Sequence, residues 1–201
     1  MNAKSLFSLL TIGALLMLAL SGCEKKTVKE TSFTKADSLT ENYLAYQDTL
    51  LQAWNSMMHD DNRKIRAMGH LLHELSVSTP EKRDELKSLE ERLEDLTSMR
   101  YDQHTMSDTE VVSEYDFVSN SLVNELISLA ESQSEFAYNT TVQKLVDSIR
   151  AADQRVNIYR EAYDAVALRF NRFIERNKPM LTEIENDSGL EKKPLFQMAG
   201  E

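Results

Sequence analysis

From about residue 36 to residue 177, apolar side chains recur every three or four positions, the spacing that lines one face of an α-helix. Leu39, Tyr43, Tyr46, Leu50, Trp54 and Met57 predict a first helix over about 36–58. The polar run His59-Asp60-Asp61-Asn62 then reads as a turn, with Asp61 or Asn62 placed to cap the next element. Ile65, Met68, Leu71, Leu72 and Leu75, resumed by Leu86, Leu89, Leu93, Leu96 and Met99, predict one long helix over 62–102. It is expected to kink or break near Ser78, where Thr79 would be an N-cap and Pro80 a first-turn proline. Ser107 and Glu110 have the spacing of a capping box. They open a third helix to about Ser132, with Val111, Tyr115, Val118, Leu122, Leu126 and Leu129 on its face.

The fourth helix, about 138–177, is the most regular. Ile149, Val156, Tyr163 and Phe170 stand seven apart, as do Ala152, Tyr159, Val166 and Phe173. Such spacing is a heptad seam. Pro179 is expected to end the helix, and residues 180–201, which lose the pattern, to form a disordered tail. Short connections place consecutive helices antiparallel. The pattern therefore predicts an all-α fold, an elongated antiparallel up-down bundle of three to four long helices over 35–179. Residue usage agrees, for between 35 and 177 the only glycine is Gly69 and the only proline Pro80. A fold with many turns would need more of both.

The beginning of the chain follows another logic. Lys4 precedes an apolar run from Leu6 to Leu20, shorter than the roughly 20 residues of a confident membrane span and shaped like a secretory signal. Leu20-Ser21-Gly22 leads directly into Cys23, the sole cysteine. That arrangement resembles the bacterial lipobox, in which the thiol is acylated and the signal is cut just before it. Residues 1–22 are thus expected to be a lipoprotein signal peptide, and 23–34 the lipidated Cys23 with a tether. At about 0.8 kcal/mol per buried methylene, two or more acyl chains make a durable anchor to the membrane. Glu24 is not the Asp associated with inner-membrane retention, so the outer membrane is the expected location. No thiol would remain for a disulfide.

The net charge of −10 becomes more negative once Lys4 is removed with the signal, which gives nucleic acid no basic surface to bind. His70 and His73 share a helix face and are candidate metal ligands, with Glu74 or another group nearby. A two-histidine pair lacks a third fixed ligand. No histidine has Glu three positions before it, so the Glu-x-x-His pattern of carboxylate-metal bundles is absent. Nor does the chain contain HExxH, a Gly-rich phosphate loop or Gly-x-Ser-x-Gly. Carboxylates over 81–95 interleave with Lys82, Arg83, Lys87 and Arg92, as on a solvated helix face. No catalytic residue and no cofactor is expected.

The stretch Asp153 to Pro179 carries Asp153, Val156 three on, Arg160 four further, Tyr163-Asp164 and Phe170-Asn171 seven apart, and a closing Pro179. In this it resembles the LemA family of envelope proteins. Trp54, late in the first helix, agrees. The usual Ile-Pro-Asn-Leu-Val after the first helix is replaced by Ile65-Arg66-Ala67-Met68, and the usual N-terminal membrane helix by the lipobox. The resemblance implies an antiparallel helical bundle outside the cytoplasm and no particular activity. On the residues themselves, Tyr163 and Phe170 read as core knobs, and Asn171 as an edge residue that bonds across to another helix. Arg160 would pair with Glu131 or Asp153, depending on register.

Together these readings predict a non-enzymatic, lipid-anchored envelope protein that acts by binding another envelope protein. The alternatives are a periplasmic metal- or small-ligand-binding bundle and a structural coiled-coil spacer. If the helices alternate from the tether, the 59–62 turn and the 132–137 connection form a distal tip. Asp60, Asp61, Glu131 and Glu135 would make that tip acidic and suited to a basic partner.

Overall fold

The computed structural model describes residues 34–185 and 190–196. The expected signal peptide, Cys23 and all of the expected tether except Thr34 lie outside the described residues. Four α-helices form the bundle: α1, Lys35–Ser78; α2, Arg83–Ser98; α3, Thr109–Glu131; and α4, Thr140–Glu185. The order is up-down-up-down, and the predicted antiparallel all-α bundle is the fold observed. Among the described residues no helix is long and apolar enough to cross a membrane.

α1 and α4 are much longer than the other two, roughly 65–70 Å at 1.5 Å per residue, and run antiparallel. Around their junction with α2 and α3, a four-helix core gathers Met68, Leu71, Leu75, Leu96, Leu122, Leu126, Val146 and Ile149, all essentially without solvent exposure. Beyond it α1 and α4 continue as a two-helix arm. Its separate small core is Leu39, Tyr43, Phe170, Ile174 and Leu181, flanked by Tyr46 and Phe173. Tyr43 stacks on Phe170 with ring centroids 5.9 Å apart, and Tyr46 meets Phe173 at 4.9 Å. The predicted α4 seam is the face that supplies both cores.

Two boundaries and two capping bonds differ from the pattern-based expectation. His59 to Asn62 is no turn: α1 runs through it without interruption, because Asp60, Asp61 and Asn62 find partners inside the bundle. The break expected near Ser78 is observed there, at Thr79. Pro80 lacks the N–H that would continue the ladder, and Thr79 leaves the helical region with φ −129° and ψ 64°. Its hydroxyl does not cap the following turn but donates to Leu75 O at 2.6 Å. At α3 the N-cap is Asp108, whose carboxylate accepts from the Glu110 N–H at 3.0 Å, while Ser107 donates back to His104 O.

Pro179 does not end α4, which continues to Glu185. An interior proline costs about 3 kcal/mol. Here its ring is exposed, and the turn it would break buries Leu181 completely against the arm core, a contribution of about 1.5–3 kcal/mol that offsets it. Nor is the rest of the tail uniformly free. Residues 190–196 return along α4 and pack on it.

Candidate functional site

The bundle is most polar where α1, the 99–108 connection, α3 and the middle of α4 meet. The run expected to be a turn supplies the first half of this girdle. Asp60, almost fully buried, accepts two hydrogen bonds from Arg155, at 2.8 and 3.2 Å. Asp61 accepts from Arg100 and from the Tyr115 hydroxyl, both at 2.7 Å, and Asn62 Oδ1 accepts from Arg100 at 2.7 Å. One turn further, Lys64 is only 3% exposed. Its Nζ donates to Ser119 Oγ at 2.9 Å and lies 3.6 Å from Asp153 and 3.8 Å from Asp61. Burying these charges is tolerable because each meets an opposite charge and a hydrogen bond.

Arg160 is the second half. Its guanidinium grips Asp116 with two hydrogen bonds of 2.7 Å and donates to the Tyr101 hydroxyl at 3.1 Å. It also lies 4.9 Å from the centre of the Phe196 ring and 5.8 Å from that of Tyr101. Trp54, Tyr101, Tyr163 and Phe196 pack edge-to-face around it, with centroid separations of 5.7–6.2 Å, and Tyr115 meets Tyr101 at 5.3 Å. This geometry suits the quadrupoles of the rings. Burial opposes the Arg160 charge, yet the bonds to Asp116 and Tyr101 outweigh it, and its pKa is raised. The tyrosines are held neutral. Burial, with the nearby Asp164 charge, pushes Tyr163 up to about 12. Burial raises Tyr101 against the pull of Arg160, and burial with the Asp61 charge raises Tyr115.

The expected pairing of Arg160 with Glu131 or Asp153 is therefore corrected. Glu131 pairs with Arg150 at 2.6 Å, Asp153 with Lys64, and Arg160 with Asp116. The register places Asp116 opposite Arg160 one helix over, at the start of α3. The acidic-tip expectation fails for the same reason, since Asp60 and Asp61 sit mid-helix and face inward. Of the other signature residues, Tyr163, Asp164 and Phe170 are buried, Val156 is half-buried beside Lys64 and Asp153, and Pro179 is exposed on the arm.

Asn171 does reach across, but to a non-helical segment. Its amide donates to Lys193 O at 2.8 Å and its carbonyl accepts from the Lys193 N–H at 2.7 Å. Asp164 accepts from the Phe196 N–H at 2.9 Å. The two polar residues spaced seven apart thus fasten residues 190–196 to α4. Tyr101, Asp116, Arg155 and Phe196 belong to the site but carry no sequence motif. The one visible signal is Leu195-Phe196, two adjacent apolar residues in a mostly polar tail.

A cavity of about 220 Å³ opens within the girdle, lined by Asp60, Lys64, Asp116, Ser119, Asp153 and Arg160 among others. His70 and His73 lie elsewhere, both solvent-exposed, and among the described residues no three potential metal ligands cluster. Comparison with family models, curated proteins and solved structures finds no match.

Proposed function

We propose that the chain is a lipid-anchored, LemA-like envelope protein with no catalytic role, which binds another envelope protein along the flank of its two-helix arm. The carrying observation is an apolar stripe on α1, Leu44, Leu51, Met58, Ile65 and Leu72, seven residues apart. Leu72 is buried, and Ile65 and Met58 are half-buried against the four-helix core. Leu44 and Leu51 continue the stripe into the arm, where each is 51% exposed. On this side of α1, Gly69 faces Leu93 of α2, and α2 ends at Ser98 before reaching the arm. A partner helix laid where α2 stops would cover both leucines with the packing already used above them.

The test is site-specific photo-cross-linking in cells, with the probe at Leu51 and, as control, at exposed Glu90 on α2. A discrete adduct from position 51 only, lost when Leu44 becomes Glu, is expected. Equal labelling at both positions would refute the arm as the binding flank. The anchor is checked separately: Cys23→Ser should leave an unprocessed precursor that carries no acyl chain.

A second reading rests on the polar cavity, whose mixture of carboxylates and cations suits a small zwitterion. Stabilisation of the melting transition by free amino acids, abolished in Ser119→Ala, would favour it over partner binding.

A further inference from the structure

Residues 190–196 lie on the bundle in the manner of a bound peptide. They form neither helix nor strand and are joined to α4 only through residues 186–189. The Asn171 carboxamide closes a two-bond ring on the N–H and C=O of a single residue, Lys193. Such a ring reads the main chain, so it accepts any residue that has an N–H, whatever the side chain. Side-chain recognition comes at two other points. Lys192 forms an ion pair with Glu175. The Phe196 ring enters the slot between Tyr101, Tyr163 and the Arg160 guanidinium, while buried Asp164 takes its N–H.

The fit is incomplete. Arg160 Nε, Gln103 Nε2 and the Tyr163 hydroxyl are buried without a partner, and all three residues border this segment. An open groove of about 750 Å³ runs beside it, lined by Gln103, His104, Leu168, Arg172, Glu175 and Leu195. Buried donors left unused cost free energy that a fuller occupant would recover.

We infer that this groove is a peptide-recognition site, filled in cis by residues 190–196. In trans it takes an extended segment of another protein that carries a basic residue and, three or four positions later, an aromatic one. The site is built from residues of α4 and the 99–108 connection and includes neither Leu44 nor Leu51, so it stands even if cross-linking there fails.

A peptide with the sequence of residues 189–197, fluorescently labelled, tests this by anisotropy against the full chain. A tethered tail competes at an effective concentration in the millimolar range. Phe196→Ala, which weakens that competitor, should therefore bind the peptide about tenfold or more tighter than wild type does. Adding Asn171→Ala to that variant should reverse the gain, and a peptide with Ala in place of its Phe should not bind. Lys193→Pro provides a second release, because it removes the N–H that Asn171 reads and leaves Phe196 in place. The inference is overturned if the peptide binds neither released variant while both keep the wild-type helical circular dichroism at the assay temperature. A wild-type dimer that Phe196→Ala dissolves would also overturn it, because the occupant in trans would then be a second copy of this chain.

Discussion

Replacing Arg160 by Met isolates what the girdle contributes, because methionine retains most of the aliphatic packing and removes the charge and the fork of donors. Three contacts are lost: the two-pronged bond to Asp116, the bond to Tyr101, and the placement over the Phe196 and Tyr101 rings. Hydrogen bonds to a charged group are worth about 1.5–3 kcal/mol, and a partly desolvated cation–π contact about 0.5–2 kcal/mol. Breaking a fully buried ion pair costs about 3–5 kcal/mol. Asp116 keeps a 34% exposed side chain, so water can take over part of the lost solvation. The expected loss is therefore at the lower end, about 3 kcal/mol.

Arg150→Met is the control. Its pair with Glu131 also links α4 to α3 at 2.6 Å, but both side chains are largely exposed, and such pairs contribute at most about 1 kcal/mol. Urea unfolding followed by circular dichroism gives the global stability. Fluorescence of Trp54, the only tryptophan, reports the same transition from within the cage. Asp116→Asn completes a double-mutant cycle, in which a coupling of about 1.5 kcal/mol or more is expected. If Arg160→Met and Arg150→Met unfold within about 0.5 kcal/mol of each other, the cage has no special energetic role and the argument from burial fails.

Three further outcomes are expected. Phe170→Ala should cost about 3–5 kcal/mol by emptying the centre of the arm core, whereas Phe117→Ala, at a 76% exposed site, should change stability by less than about 0.5 kcal/mol; equal shifts in denaturation midpoint would show the arm core to be misassigned. Asp60→Lys should destabilise by more than about 3 kcal/mol, because it sets a buried cation against Arg155, and a variant melting like wild type would mean that Asp60 faces solvent after all. The third concerns alkali. Tyr163 is raised from 10.0 to about 12, and Tyr101 and Tyr115 are raised too, so the folded state holds protons that the unfolded state releases. Stability should be intact below pH 10 and fall as pH rises through 12. The phenolate absorbance should then show these three of the seven tyrosines ionising together with loss of helix; all seven titrating near pH 10 with the circular dichroism unchanged would contradict it.

Much of the architecture was legible because it rests on local periodicity. The α4 seam, the polar outer face of α2 and the break beside Pro80 follow from spacing and from the chemistry of proline. What was not legible depends on partners distant in sequence. Asp60-Asp61-Asn62 looks like a turn until Arg155 and Arg100 are known to lie opposite, since a polar run breaks a helix only when water is its best partner. The Arg160 register failed for a related reason. Heptad spacing fixes which face of a helix turns inward but not how far a neighbour slides along it. Pro179 was misjudged because its local cost is visible in the sequence and the compensating burial of Leu181 is not. Asn171 was expected to bond across from the edge of the seam. Its actual partner is a piece of backbone, which side-chain patterns do not encode.

The great length of α1 and α4 also sets the order in which the molecule assembles. α2 and α3 close on each other and on their immediate neighbours through contacts near in sequence, which form early at little loop-closure cost. Tyr43 and Phe170 meet across nearly the whole described chain, so the arm closes only after the four-helix end has brought its two strands of helix together. With a core of only five buried side chains, the arm is also the first part to open again. Amide exchange should accordingly be fastest along residues 35–50 and 170–185, leaving an end of the bundle that can separate into two helices while the other end remains folded.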